Sequence, residues 1–94
     1  MNREPLSEAA LAALSESLPG WIVEGVELVK TFAFSSYLEG IDFVVRLARE
    51  AEAMNHHPDL QVGWRKVTVR VSTHSARALT QLDVELARRA DGLV

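Results

Sequence analysis

The stretch that decides the fold is Lys66–Thr73, KVTVRVST, in which apolar and polar side chains alternate. Val67, Val69 and Val71 occupy every second position of this stretch. Successive side chains of a β-strand point to opposite faces, so the alternation predicts a strand with one face in the core and the other in solvent. A sheet with one solvated face is typically antiparallel.

Three further strands are predicted from β-branched and aromatic runs. Leu60–Trp64 precedes the alternating stretch and forms a hairpin-like pair with it. An earlier hairpin joins Trp21–Val23 to Leu28–Phe34, and Glu24-Gly25 separates the two runs. The sequence thus predicts two hairpins.

A long helix is predicted between the hairpins. Ser36 and Glu39 have the spacing of a capping box, and apolar residues then recur at helical steps as far as Asn55. Pro58 forbids further helix, because it lacks a donor and pushes His57 out of the α region. Two adjacent histidines are therefore expected at the helix exit.

Two shorter helices are predicted at either end of the chain. Ser7 caps an amphipathic segment that Pro19-Gly20 ends. The last helix opens with a second capping-box spacing, Thr80-x-x-Asp83, and ends at Asp91-Gly92.

The element order α-ββ-α-ββ-α predicts an α+β fold, a four-stranded antiparallel sheet with three helices packed on one face. We expect residues 1–94 to form a single domain, because a second core would have too little chain. Four strands leave two open edges. Small proteins often cover such edges with another copy, which predicts a homodimer or homotetramer.

The composition of the chain limits the classes of partner that we expect. The ten Lys and Arg are scattered and the net charge is -3, so nucleic acid is not an expected partner. No run approaches the roughly 18 apolar residues that span a bilayer, and no membrane partner is expected. The chain has no cysteine, so disulfides and thiolate zinc sites are excluded, and we expect a cytoplasmic protein.

The residues that carry chemistry are concentrated in one motif. It runs through Glu52, His56-His57-Pro58, Trp64, His74 and Asp83 and contains all three histidines of the chain. Imidazole titrates near neutral pH, so clustered histidines in a cleft can donate and accept protons. The motif predicts an acid-base site without naming its reaction.

From Glu52 to Asp83 the motif resembles the signature of the pterin-4a-carbinolamine dehydratase family. The resemblance rests on Glu-x3-His-His-Pro, a downstream aromatic residue, Thr73-His74 and Leu79-Thr80-x2-Asp83. It implies the α+β fold above, an oligomer, and dehydration of 4a-hydroxytetrahydropterin to quinonoid dihydropterin and water, with neither cofactor nor metal.

Carried over by position, the resemblance implies roles for the histidines. His56 and His74 would assist departure of the 4a-hydroxyl, and His57 would bind the pterin and accept a proton. The sequence departs from the family twice. Asn55 stands where many members carry an acidic residue, and Leu60 stands where many carry tryptophan.

Other residues of the motif have a structural and a functional interpretation. Asp83 fits the capping box as well as a role in orienting the site. Glu52 lies four residues before His56, so the two could pair on one helix face. Trp64 could wall the pocket or lie in the core. The full set of substrate-binding or orienting candidates is Glu52, Asn55, Pro58, Trp64, Thr73 and Asp83.

Three alternatives stay open at the level of the sequence. Histidines near a helix C-terminus interact favourably with its dipole and need no function. Three histidines with Asp83 also provide the ligand types of a zinc site. Finally, the same fold could act as a non-catalytic dimerising scaffold or assembly chaperone.

Overall fold

The computed structural model describes residues 2–94, which form three helices and one four-stranded antiparallel sheet. The elements in chain order are α1 (Glu8–Ser17), β1 (Ile22–Glu24), β2 (Glu27–Ala33), α2 (Tyr37–Met54), β3 (Asp59–Val62), β4 (Lys66–Val71) and α3 (Gln81–Asp91). The predicted element order and fold class are confirmed.

The alternating stretch forms β4, an inner strand of the sheet. The strand order is β1-β2-β4-β3, so β4 pairs with β2 on one side and with β3 on the other. Val67, Val69 and Val71 are buried, while the residues between them are partly exposed. β4 ends two residues earlier than predicted. Beyond its end, Thr73 forms an isolated antiparallel bridge with Ala78.

The core lies between the sheet and the helices. α2 and α3 pack against each other and both contact β4. The inner side chains include residues of all three elements and of β2, namely Phe32, Phe43, Leu47, Ala51, Val67, Val69, Val71, Leu86, Ala87 and Ala90. β4, α2 and α3 therefore share one core, and the site described below lies where α2 and β4 end and α3 begins.

The predicted caps form, with one difference. Ser7 Oγ accepts from the Ala10 N–H at 3.1 Å and begins α1. Ser36 Oγ accepts from the Glu39 N–H at 3.2 Å and begins α2. Glu39 Oε2 bonds the hydroxyl and N–H of Ser35 instead of returning to Ser36, so only half of the predicted box is present.

The two edge strands of the sheet each lack a partner strand on one side. β1 and β3 form the edges of the sheet, and Ile22 on β1 is 64% exposed.

No helix among residues 2–94 has the length and apolar content needed to cross a bilayer.

Candidate active site

The exit of α2 places the two adjacent histidines on different sides of the chain. Asn55 adopts the left-handed conformation, with φ 50° and ψ 44°. Its N–H donates to Glu52 O at 3.1 Å, and the His56 N–H donates to Ala51 O at 3.0 Å. These two bonds are those of a Schellman motif, and asparagine is one of the few residues that tolerate its left-handed position. The helix exit therefore holds the backbone of His56 in place.

His56 points inward and meets the start of α3. Its Nε2 lies 2.6 Å from Asp83 Oδ1, and both side chains are buried. The other oxygen, Asp83 Oδ2, accepts from the Thr80 N–H at 2.9 Å and from the Thr73 hydroxyl at 2.8 Å. The two interpretations of Asp83 are therefore compatible, because one oxygen caps α3 and the other contacts the histidine.

The threonines extend this network. Because the Thr73 hydroxyl donates to the carboxylate, the hydroxyl of Thr80 donates to Thr73 across 2.7 Å. Thr80 Oγ1 in turn accepts from the Leu82 N–H at 3.2 Å. No buried side-chain nitrogen or oxygen among residues 2–94 lacks a hydrogen-bond partner. The network is thus complete, which favours one fixed geometry.

The network determines which nitrogen of His56 is free. A carboxylate only accepts hydrogen bonds, so the hydrogen between the two side chains belongs to His56 Nε2. Nδ1 is left as the nitrogen that can exchange a proton with a ligand. In a Ser-His-Asp triad, the aspartate likewise accepts from one ring N–H of the histidine and so fixes the tautomer that takes part in the reaction.

His57 faces outward and pairs with Glu52. The Nε2 of His57 forms a hydrogen bond to Glu52 Oε2, and both side chains are exposed. Spacing along a helix suggested His56 as the partner of Glu52, and that pairing is wrong. The left-handed Asn55 ends the helix before either histidine, so His56 turns to α3 and leaves Glu52 to its neighbour.

His74 comes from the tight loop that follows β4. The Ala76 N–H donates to Thr73 O at 3.0 Å, and the Arg77 N–H donates to His74 O at 3.1 Å. Arg77 adopts a positive φ of 51°, which lets the loop return to the bridge at Ala78. His74 is exposed, and the loop carries it to the same pocket as the other two histidines.

All three histidines line one open pocket of about 300 Å³. This volume is at the lower end of the range that holds small ligands. The eight lining residues are Arg3, Asn55, His56, His57, Ser72, Thr73, His74 and Ser75. The structure therefore brings together the three catalytic candidates, Asn55 and Thr73, with Asp83 behind His56 and Glu52 beside His57.

Besides Glu52 and Asp83, two candidates lie outside the pocket lining. Pro58 is partly buried next to His57, three residues beyond the left-handed Asn55 that ends α2. Trp64 lies in the turn between β3 and β4 and is 75% exposed, so the expectation of a core position is wrong. The Cζ of Arg65 lies 5.1 Å from the centroid of the Trp64 ring. The predicted strand was two residues too long at this end, because β3 stops at Val62.

Sequence reasoning missed three lining residues, namely Arg3, Ser72 and Ser75. Ser72 and Ser75 flank Thr73-His74, so their proximity to the motif was a usable signal. Arg3 lies far from the motif in sequence and reaches it through tertiary structure, with its Nη1 donating to Ser75 Oγ at 3.0 Å. No local pattern indicates such a contact.

Of the side chains of the site that could bind a metal ion, two histidines and two carboxylates form hydrogen bonds with each other instead. Within the described part of the chain, no group of three or more His, Asp or Glu side chains is arranged to hold a metal ion. The geometry agrees with the pairing of each carboxylate with one imidazole.

Comparison with known proteins connects this site to a family. Residues 4–93 match the family model described as pterin 4 alpha carbinolamine dehydratase. A relative from Roseiflexus sp. (strain RS-1), named "Putative pterin-4-alpha-carbinolamine dehydratase", is 44% identical over 89 residues, which cover 95% of this chain and 96% of that protein.

Two solved structures share the fold. A transcriptional coactivator/pterin dehydratase from Brucella melitensis matches with a TM-score of 0.90 and 28% identity, over 96% of this chain and 98% of that one. A pterin dehydratase-like protein identified as a RuBisCO assembly factor in the alpha-carboxysome matches with a TM-score of 0.65 and 26% identity, over 78% and 84% of the two chains. By its sequence match and its fold, this chain belongs to the pterin 4 alpha carbinolamine dehydratase family.

Proposed function

We propose that this protein dehydrates 4a-hydroxytetrahydropterin to quinonoid dihydropterin and water, and so supports tetrahydropterin recycling. One observation carries the proposal: the chain has three histidines, and all three line the same pocket. Proton transfer at neutral pH is the chemistry that such a cluster performs best. Family membership supplies the substrate class.

The first step is departure of the 4a-hydroxyl. Hydroxide is a poor leaving group, so a proton delivered to the 4a-oxygen allows the C4a–O bond to break with loss of water. The N5 lone pair then forms the C4a–N5 double bond. We assign the proton delivery to His56, through Nδ1, and to His74. Acid assistance of this kind contributes about 10²–10⁴-fold to a rate.

The second step is loss of the N5 proton. It completes the quinonoid product and returns to the protein the proton that the first step consumed. We assign this acceptance, together with contact to the pterin, to His57, whose ring Glu52 orients from outside the pocket. Asn55 lines the pocket, and Thr73 donates to Asp83 behind it. The scheme requires neither a cofactor nor a metal.

The test is a dehydratase assay on 4a-hydroxytetrahydropterin generated in situ, with and without a chelator. We expect turnover that survives chelation and that falls in His56→Ala and His74→Ala. A rate equal to the uncatalysed elimination for the wild-type protein would refute the proposed function. Loss of turnover on chelation would replace the acid-base scheme with a metal site.

A non-catalytic scaffold or assembly chaperone is the second candidate function. It is favoured by the structural match to a protein identified as a RuBisCO assembly factor. The complete hydrogen-bond network behind His56 argues for catalysis instead, because a scaffold has no use for a fixed imidazole tautomer. Folded wild-type protein that binds no pterin would favour the scaffold.

We also propose that the protein is a homodimer or homotetramer acting in the cytoplasm. Support for the oligomer comes from the two unpaired sheet edges and from exposed apolar side chains beside them, such as Ile22 and Val23 on β1. Sedimentation at micromolar concentration tests the oligomer, and a single species at monomer mass would refute it.

A further inference from the structure

The histidine pocket has a positive charge at its rim that the proposed reaction does not use. Arg3 lines the pocket, and its only side-chain hydrogen bond in residues 2–94 goes to Ser75 Oγ at 3.0 Å. Arg3 has no ion-pair partner in this part of the chain. A guanidinium has five N–H donors, so Arg3 keeps donors for a ligand.

No carboxylate lines the pocket in the part of the chain described. The two carboxylates of the motif, Glu52 and Asp83, are each bonded to a lining histidine and lie outside the lining themselves. The lining consists of the three histidines, Ser72, Ser75, Asn55, Arg3 and Thr73, and the hydroxyl of Thr73 is already bonded to Asp83 and Thr80. Among the described residues of the lining, Arg3 is therefore the one whose side chain carries a permanent charge.

The fold sets the position of Arg3. The Leu6 N–H donates to Leu79 O at 2.9 Å, and the Leu6 side chain packs against the core. Only two residues separate this anchor from Arg3, and Ser75 holds the other end of the segment. The guanidinium is therefore kept beside the loop that carries His74.

The pterin ring itself is uncharged near neutral pH, so the ring does not require this arginine. In the ring, C4a is bonded to N5, and N5 is bonded to C6. The C6 substituent thus begins only two ring bonds from C4a, and Arg3 lines the same small pocket as the histidines that would surround C4a. An unpaired cation at the pocket rim is complementary to a negatively charged substituent.

We infer that the site favours pterins whose C6 substituent carries an anionic group, a phosphate ester or a carboxylate, and that Arg3 is the residue that determines this specificity. The inference rests on the proposed function and deepens it by naming the substrate class. The contact lies at an exposed rim, so the expected preference is modest, about fivefold in Kd.

Binding of stable oxidised pterins tests the inference without requiring turnover. The probes are 6-hydroxymethylpterin, its phosphate monoester and pterin-6-carboxylic acid, measured by calorimetry on the full chain. Arg3→Gln should remove the preference for the anionic probes and leave the Kd of the neutral probe unchanged. Arg49→Gln is the matched control, because Arg49 is exposed on α2 and does not line the pocket.

A second variant tests the same electrostatic preference by adding a negative charge to the pocket. Asn55→Asp adds a carboxylate to the pocket wall and keeps a residue that tolerates the left-handed conformation. It should weaken binding of both anionic probes more than binding of the neutral one. The preference of the wild type should also decrease as ionic strength rises.

The outcomes separate the two proposals. A preference for either anionic probe that Arg3→Gln abolishes and Arg49→Gln preserves supports the inference. Equal Kd values for all three probes, or a preference that survives Arg3→Gln, overturn it and leave the dehydratase proposal standing. Failure of every probe to bind overturns the proposed function together with the inference.

Discussion

The floor and the rim of the histidine pocket use similar side chains in different environments. The floor consists of His56, Asp83, Thr73 and Thr80, whose relative exposures range from 0% for Asp83 to 7% for His56. At the rim, the side chains of His57 and Glu52 are 55% and 76% exposed. An imidazole–carboxylate pair occurs in both places. The floor belongs to the core, so changes there should affect folding and reaction together, whereas changes at the rim should affect the reaction alone.

The largest expected effect is that of Asp83→Ala on the floor. The carboxylate accepts from Thr73, Thr80 and His56, and its removal leaves a buried hydroxyl, a helix-start N–H and an imidazole without their acceptor. Breaking one side of a buried pair costs about 3–5 kcal/mol. We expect the free energy of unfolding to fall by about 3 kcal/mol, measured by urea denaturation, with turnover lost in the same sample.

Asp42→Ala is the matched control for this prediction. Asp42 is an exposed carboxylate on α2 that pairs with Arg46, and exposed pairs contribute about 0–1 kcal/mol. Equal denaturation midpoints for the two variants would show that the floor network does not stabilise the fold. Retained turnover in folded Asp83→Ala would remove Asp83 from the site.

His56→Ala should have the next largest effect. It leaves Asp83 Oδ1 without a partner, but the vacated space opens to the pocket, so water can partly replace the imidazole. We expect a loss of about 1–3 kcal/mol, smaller than for Asp83→Ala, together with a fall in kcat. Thermal melts and steady-state kinetics on one preparation measure both. Wild-type stability would mean that His56 is not part of the core.

His74→Ala should lower kcat without lowering stability. The ring is exposed on a loop, and surface substitutions of this kind change stability by about 0.5 kcal/mol or less. We expect kcat to fall by about 10²-fold or more, because the substitution removes an acid that acts in the transition state. The variant carrying both His56→Ala and His74→Ala should be slower than either single variant. Wild-type turnover by that folded double variant would refute the mechanism.

The secondary-structure elements and the location of the site could largely be predicted from sequence, because their signals are local. Alternation in Lys66–Thr73 identified β4, and the capping-box spacings of Ser36 and Thr80 located the starts of α2 and α3. The three histidines that the sequence groups in one motif also lie together in the fold, where they line one pocket. Periodicity and capping act within a few residues, which is why sequence patterns report them.

The division into floor and rim could not be predicted, since it depends on contacts between distant elements. The left-handed Asn55 decides that His56 meets Asp83 and that Glu52 is left to His57. Helical spacing suggested the opposite pairing, because it assumes that the helix continues. Arg3 is the extreme case, since only the tertiary fold brings it to Ser75.

Glu52→Gln at the rim should have the smallest effect. Glu52 touches the site only through His57, and both side chains are solvated, so their pair contributes at most about 1 kcal/mol. Gln keeps the length and a hydrogen-bond acceptor but removes the charge, so His57 should lose orientation without losing its place. We expect KM to rise by up to about fivefold, kcat to change less, and the melting temperature to stay at the wild-type value.

His57→Ala, which removes the ring itself, should raise KM further, and Glu52→Gln in that background should add nothing. Steady-state kinetics on the two single variants and the double variant measure this coupling. Additive effects on KM would show that Glu52 acts independently of His57, and a fall in stability would place the pair in the core instead of at the rim.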